Sequence, residues 1–214
     1  MIQLAGTGLL ADGLYLLAHH DVTGRPFLQP RALGLGLAGG LLAELVLAGR
    51  IRVVPHVIAA DRTLPKDELA CNVLGLLLRE RDRHDVRQWL AFLSQAAVQA
   101  VAVRLSGAGY LVREPGQWPW RADRWVPADP DCAFAPLIRV RAVLDPVRQP
   151  GTSDVVLAGL AVACGLGSRV LPFGPPGGRG HLDAAVRQLS PDLRELIAQV
   201  QAAVDSALLS QRMR

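Results

Sequence analysis

Tryptophan and arginine are concentrated in one short segment of the chain. Residues 117–126 hold three of the four tryptophans and two arginines, and Arg113 lies shortly before them. Indole rings favour the boundary between lipid head groups and acyl chains. A neighbouring arginine can pair with a lipid phosphate, a contact worth about 1 kcal/mol near an anionic surface. The candidate contact residues are therefore Trp118, Trp120, Trp125, Arg113, Arg121 and Arg124.

Two interpretations of this segment are open. On a protruding hairpin, tryptophan mixed with arginine is suited to contact with a membrane or with another subunit. Alternatively, the tryptophans fold inward and form a local core, because tryptophan is usually largely buried in folded proteins. The composition of the segment does not separate the two.

Side chains suited to metal binding or catalysis are few. His19, His20 and Asp21 are adjacent, but neighbouring histidines on a helix point to different faces, so one metal would reach both only from an irregular backbone. The sequence has no Gly-x-Ser-x-Gly, no His-Glu-x-x-His and no Gly-Lys-Ser/Thr loop. The glycines of residues 174–180 are interrupted by prolines, which lack the N–H groups that bind phosphate. We therefore predict a protein that is not an enzyme and uses no cofactor or metal, with an enzyme built around the two histidines as a further alternative.

The composition predicts a folded intracellular protein. Half of the 214 residues are hydrophobic and 20% are charged, which allows a sizeable core. The net charge is +4, and all but one of the 23 basic residues are arginine. Three widely spaced cysteines exclude a disulfide scaffold, and Cys164 lies in an apolar stretch typical of a core. The first ten residues lack the positive charge of a signal peptide, so we expect a cytoplasmic location.

Hydrophobic periodicity predicts a mainly α single domain spanning residues 1–214, with a central apolar helical bundle and one or two small β-hairpins. Two nearly continuous apolar stretches, residues 33–48 and 155–170, are expected to be buried core helices. Glycine and proline make residues 172–180 an expected surface loop. The predicted helices cover residues 9–20, 31–48, 65–80, 86–106, 133–144, 154–170 and 190 onward, and the predicted strands residues 50–54, 110–113 and a return through 125–126.

A helix followed by glycine and a short strand occurs twice, which is also the order found in winged-helix proteins. The alternative function is therefore a nucleic-acid-binding protein of winged-helix type. However, Arg31 is the only basic residue in the first of these helices, and the second offers only Arg87 and Arg104. Helices that bind a DNA groove normally present several base and phosphate contacts. Nucleic acid is thus the less favoured partner.

The sequence resembles the Golgi phosphoprotein 3-like family over nearly its whole length. The strongest similarity lies in LLAELVLAGRI at residues 41–51, preceded by GLYLL at 13–17 and DVTGR at 21–25. RQWL at 87–90, GYL at 109–111 and the apolar stretch 155–170 resemble later blocks of the family in the same order. The arginine-rich composition indicates a bacterial, actinobacterial member.

The resemblance implies a mostly helical domain with a projecting hairpin that enters the bilayer and takes part in oligomer contacts. Eukaryotic members are peripheral membrane proteins that bind phosphatidylinositol 4-phosphate and retain glycosyltransferases in the Golgi. Their lipid pocket uses one tryptophan and three arginines, which correspond here to Gln29, Ala38, Gln95 and Val98. Neutral side chains cannot replace the charge-assisted contacts that a phosphomonoester needs. We therefore do not expect that phosphate site in this chain.

The family feature that we expect this chain to share is the hairpin. The resemblance then implies a peripheral protein on the inner face of the membrane, whose partners are anionic phospholipid head groups, a second copy through the hairpin and a protein cargo. The six tryptophan and arginine residues named first are the expected lipid contacts.

Overall fold

The structure is a computed structural model that describes residues 7–54, 57–79, 85–115, 124–173, 175 and 177–212. The prediction of a mainly α fold with small hairpins is confirmed. In this part of the chain the helices are α1 (Leu10–Leu17), α2 (Pro30–Leu47), α3 (Glu68–Arg79), α4 (Val86–Gly107), α5 (Pro130–Leu144), α6 (Thr152–Ala163), α7 (Gly167–Val170), α8 (Gly178–Arg187) and α9 (Pro191–Arg212), and the strands are β1 (Ile51–Val54), β2 (Val57–Ala60), β3 (Leu111–Glu114) and β4 (Arg124–Pro127).

Helix α2 lies at the centre of the bundle, as its uniformly apolar sequence predicts. Thirteen of its 18 residues are buried, and it packs against α1, α4 and α9. Small residues allow this close approach, since Gly40 faces the backbone of Ala11 in α1 and Gly34 faces that of Ser94 in α4. A helix enclosed in this way cannot enter a DNA groove, which counts against the winged-helix alternative.

By length and composition alone, α2 and α4 could each cross a membrane. In the fold, 72% of the 18-residue apolar stretch of α2 is buried inside the protein, and 33% of the corresponding stretch of α4 is buried. Helix α4 lies along α2 with one face, and it exposes Gln88, Gln95 and Gln99 on its outer side. The two helices thus pack together as part of the bundle.

Each of the two hairpins follows a long helix. Strands β1 and β2 pair antiparallel after α2, and β3 and β4 pair antiparallel after α4. In the second hairpin Arg113 lies opposite Trp125 and Glu114 lies opposite Arg124. The N–H of Tyr110 donates to the carbonyl of Leu105, so the last turn of α4 leads directly into β3. The position of the hairpin is therefore set by α4.

Two predictions about the C-terminal half are wrong. The apolar helix expected to reach residue 170 ends at Ala163, because Gly165 has a left-handed φ of +97° and the chain restarts as the short α7. The expected loop at 172–180 ends earlier than predicted, since α8 begins at Gly178. Burial of Leu182, which is 2% exposed, outweighs the low helix propensity of the glycines.

Helix α5 starts three residues earlier than predicted, at Pro130. Asp129 caps it by accepting a hydrogen bond from the N–H of Asp131. Proline at the first helical position has a backbone angle that favours this start. Consequently α5 begins only three residues after the end of β4, which links it closely to the hairpin.

Candidate functional site

The structure describes three of the six predicted contact residues, and all three lie on the β3–β4 hairpin. Arg113 lies on β3, and Arg124 and Trp125 lie on β4. Trp118, Trp120 and Arg121 lie outside the described residues.

The two described arginines are exposed on the hairpin. Arg124 forms an ion pair with Glu114 across the two strands, with 2.8 Å between Nη2 and Oε2, and these side chains are 45% and 50% exposed. Exposed pairs of this kind are worth about 0–1 kcal/mol, so Glu114 does not prevent Arg124 from pairing with another anion. Arg113 is exposed and lies opposite Trp125 in the register.

Trp125 lies partly against the body of the protein. Its side chain is half-buried and contacts the core, and its indole N–H points to Oε1 of Gln99 on α4 at 3.4 Å. For this residue the geometry supports the inward-packing alternative. Contact of its exposed part with a second surface stays a prediction.

The turn at residues 21–25, part of the family resemblance, holds the base of the hairpin. Gly24 has a left-handed φ of +61°, and a Cβ added there would overlap the carbonyl oxygen of Trp125. The turn is closed by two hydrogen bonds, one from the N–H of Gly24 to the carbonyl of His20 and one from the N–H of His20 to the carbonyl of Arg25. Only glycine allows the turn to lie so close to β4.

A buried charge cluster, which sequence analysis missed, holds the helix that precedes the hairpin. Arg104 near the end of α4 contacts three carboxylates from three other elements. The shortest distances from its guanidinium are 2.7 Å to Asp12 on α1, 3.1 Å to Glu44 on α2 and 2.9 Å to Asp67 just before α3. Arg104 is 10% exposed, Asp12 1% and Glu44 7%. The cluster fixes α4 to the first three helices, and β3 begins seven residues later.

The electrostatics of this cluster are dominated by burial. Burial raises the pKa of the Asp12 and Glu44 carboxyl groups, although the charge and hydrogen bonds of Arg104 oppose the shift. Burial acts to lower the pKa of Arg104, but the neighbouring Glu44 and Asp12 outweigh it, so the guanidinium stays charged. Oδ2 of Asp12 is buried without a hydrogen-bond partner. The protonated forms of Asp12 and Glu44 are therefore favoured more in this cluster than they are in water.

A signal for this cluster was present in the sequence. Glu44 interrupts an otherwise apolar helix, and Asp12 and Arg104 lie within predicted helices. A buried acid in an apolar helix needs a cationic partner. Which arginine supplies it could not be read from the sequence, because Glu44 and Arg104 are 60 residues apart.

The positions that correspond to the family's phosphate pocket hold no cation. Ala38 is fully buried, Gln29 and Gln95 are exposed at helix surfaces, and Val98 is half-buried. These four positions therefore offer no charged group that could bind a phosphate, as the sequence predicts.

The adjacent histidines have different environments. The ring of His19 is buried and stacks on Tyr15 with 3.9 Å between centroids, and its Nδ1 donates to the carbonyl of Tyr15 at 2.7 Å. His20 is exposed and lies 2.9 Å from Asp21. Among the described residues, no three metal-binding side chains come together.

Cys164 is a core residue, as predicted. It is 1% exposed at the end of α6, and burial raises the pKa of its thiol to about 12. A thiol of this kind is a poor nucleophile at neutral pH.

Comparison with known proteins gives a family match. The sequence model of a family described as Golgi phosphoprotein 3 (GPP34) matches residues 10–209. This region covers every described helix and strand up to the last turn of α9. No curated protein matches the sequence.

Proposed function

Because the chain belongs to the Golgi phosphoprotein 3 family, we propose that it is a non-enzymatic peripheral membrane protein that binds anionic phospholipid through the β3–β4 hairpin. The observation that carries the proposal is the placement of Arg113 and Arg124 on the two strands that enclose residues 116–123. That enclosed segment contributes Trp118, Trp120 and Arg121 in the sequence.

The proposed contact combines two interactions. The indole rings of Trp118 and Trp120 enter the interface between head groups and acyl chains, where aromatic rings are favoured. The exposed arginines pair with lipid phosphates, and Arg124 exchanges its weak partner Glu114 for a phosphate. Each interaction is modest, so binding needs both and is reversible.

The buried cluster around Arg104 has a supporting role in this proposal. It fixes the end of α4 and thereby the direction in which the hairpin leaves the bundle. A fixed hairpin binds with a smaller loss of conformational entropy than a mobile one.

The site of action and the partners follow from the same proposal. The protein acts on the cytoplasmic, inner face of the membrane, and the hairpin also supplies a contact to a second copy. An adaptor role, in which a protein cargo is held at the membrane, agrees with the family.

Vesicle co-sedimentation tests the proposal. We expect the protein to bind vesicles that contain phosphatidylglycerol and not vesicles of phosphatidylcholine alone. Replacement of both Trp118 and Trp120 by alanine is expected to abolish binding, and Arg124→Gln to weaken it.

Arg148→Gln is the matched control, because Arg148 is also exposed and also pairs with an acid, Asp145, but follows the end of α5, whereas β4 precedes its start. If the double tryptophan variant sediments as well as the natural protein does, the hairpin is not the membrane contact. Equal loss in Arg148→Gln and Arg124→Gln would show that only net charge matters.

A further inference from the structure

A cleft of about 390 Å³ lies between the end of α1, helix α5 and helix α7. This volume is in the range of small-molecule sites, about 300–1,000 Å³. The cleft does not involve the positions that correspond to the family's phosphate pocket. Its wall is largely aliphatic, and its polar side chains are His19, Asp21, Arg141, Ser168 and Arg169.

Two arginines line the cleft and carry the chemistry that binds an anion. The guanidinium of Arg169 lies over the ring of Phe27, with 3.4 Å between its central carbon and the ring centroid. Stacking holds the group in one plane and leaves its N–H edges available for hydrogen bonds. Arg141 lines the same cleft from α5, and the hydroxyl of Ser168 lies beside Arg169 in the sequence. Guanidinium groups bind phosphate and carboxylate oxygens through paired hydrogen bonds.

Acceptors in the same cleft indicate that the ligand also carries hydroxyl groups. Asp21 supplies a carboxylate. The Nδ1 of His19 donates to the carbonyl of Tyr15, so the other ring nitrogen is an acceptor in the neutral ring. Burial lowers the pKa of His19 and keeps the ring neutral. Asp21 and His19 therefore offer two acceptors to hydroxyl groups of a ligand in the cleft.

The apolar side of the cleft continues onto the surface. Phe134, which lines the cleft, is 45% exposed, and Ile138 is 52% exposed four residues later on the same face of α5. This face is close to the hairpin in the chain, because α5 begins three residues after β4. The turn that carries Asp21 also lies against Trp125 through Gly24. A ligand with an apolar part could therefore extend from the cleft toward the surface near the hairpin.

From this arrangement we propose that the cleft binds the head group of one anionic phospholipid whose phosphodiester carries a polyol. The phosphate lies between Arg141 and Arg169, the polyol hydroxyls donate to Asp21 and His19, and the first acyl carbons lie along Phe134 and Ile138. This proposal rests on the proposed function, which brings the protein to the bilayer that supplies the lipid. It adds a site for one lipid head group to the contact that the hairpin makes with the membrane surface.

Calorimetric titration with monomeric dihexanoyl phosphatidylglycerol tests this site apart from the bilayer. We expect binding of this probe, and no binding of dihexanoyl phosphatidylcholine, which has no net charge and no hydroxyl donors. Arg141→Gln and Arg169→Gln are each expected to weaken binding at least about tenfold. Arg148→Gln, an exposed arginine outside the cleft, should leave it unchanged.

Ser168→Asp keeps the test decisive if an arginine variant fails to fold. Ser168 is exposed, so an added carboxylate should repel the phosphate without changing the melting temperature. Unchanged binding by a folded Ser168→Asp variant would overturn the proposal. Displacement of the probe by an equal concentration of inorganic phosphate would also overturn it, because the cleft would then be a site for a free anion.

The hairpin variant separates the two proposals. Replacement of Trp118 and Trp120 by alanine should abolish vesicle binding and leave the soluble probe bound. If that variant loses the soluble probe, the lipid site is the hairpin and not the cleft. If the natural protein binds the soluble probe but no vesicle, the cleft proposal for the head group stands and the proposed membrane contact of the hairpin fails.

Discussion

At the scale of single residues, Arg104 joins more of the fold than its sequence context suggests. Its guanidinium contacts carboxylates from α1, α2 and the turn before α3, and it is 10% exposed. In Arg104→Met these acids lose their common cation while Asp12 and Glu44 stay buried. We expect a loss of about 3–5 kcal/mol in the free energy of unfolding, as for other broken buried pairs. Urea denaturation measures it, with Arg148→Met as the exposed control. A loss below about 1 kcal/mol, typical of a surface pair, would contradict the assigned role.

The buried acids of this cluster make the free energy of unfolding depend on pH, and the direction follows from their raised pKa values. Burial raises the pKa of Asp12 and Glu44 above their ordinary values of 3.8 and 4.5. The folded protein therefore holds protons that the unfolded chain releases. The resulting stabilisation is complete when the pH lies below the ordinary pKa values of these two groups. It is lost as the pH rises through their raised pKa values in the folded protein.

Asp12→Asn isolates this contribution. Asparagine cannot ionise, so the stability of the variant relative to the natural protein should increase between pH 4 and pH 8. Thermal unfolding at a series of pH values measures the difference, and subtraction removes the groups that both proteins share. A difference that is constant over this range would show that Asp12 ionises with its ordinary pKa.

At the scale of elements, the turn before α2 and the hairpin depend on each other through Gly24. Gly24 and Gly49 both have left-handed φ angles, +61° and +67°, but an added Cβ meets the backbone of β4 at Gly24 and open space at Gly49. Alanine at Gly49 should cost about 1–2 kcal/mol, the cost of the left-handed conformation alone. Alanine at Gly24 should cost more, because the turn must also separate from β4. Urea denaturation compares the two, and equal losses would contradict the close contact.

The elements also show what the sequence can predict. Apolar patterning located α2 and α4, and glycine followed by a short alternating run located β1 and the β3–β4 hairpin, because these signals are local; β2 was not predicted as a strand. The early end of α6 lies at the left-handed Gly165, inside a stretch that is apolar on both sides, so hydrophobicity did not mark it. The existence of α8 depends on tertiary packing, through the burial of Leu182. The Arg104 cluster was missed because it also depends on tertiary packing, which joins residues of α1, α2 and α4 with Asp67 just before α3. The hairpin residues were predicted as a group. The packing of Trp125 against α4 could not be predicted, because it involves Gln99, which lies 26 residues away in the chain.

At the scale of the whole molecule, the described candidate lipid contacts, Arg113, Arg124 and Trp125, lie in one region of the bundle. The hairpin, the turn at residues 21–25 and the start of α5 are joined through Trp125, Gly24 and the short link after β4. Helix α2 and the Arg104 cluster, both inside the bundle, hold this region in place. Under the proposed function, this one region meets the membrane.

Fluorescence quenching by brominated lipid tests the membrane contact most directly. Vesicles of phosphatidylglycerol with brominated acyl chains should quench the natural protein, because Trp118 and Trp120 enter the acyl boundary. Replacement of both by phenylalanine keeps aromatic rings for binding and removes these two fluorophores, while Trp89, 1% exposed, and Trp125, half-buried against α4, remain. We therefore predict that the variant sediments with vesicles and loses most of the quenching. No quenching of the natural protein on vesicles to which it is bound, or equal quenching of the variant, would contradict the account.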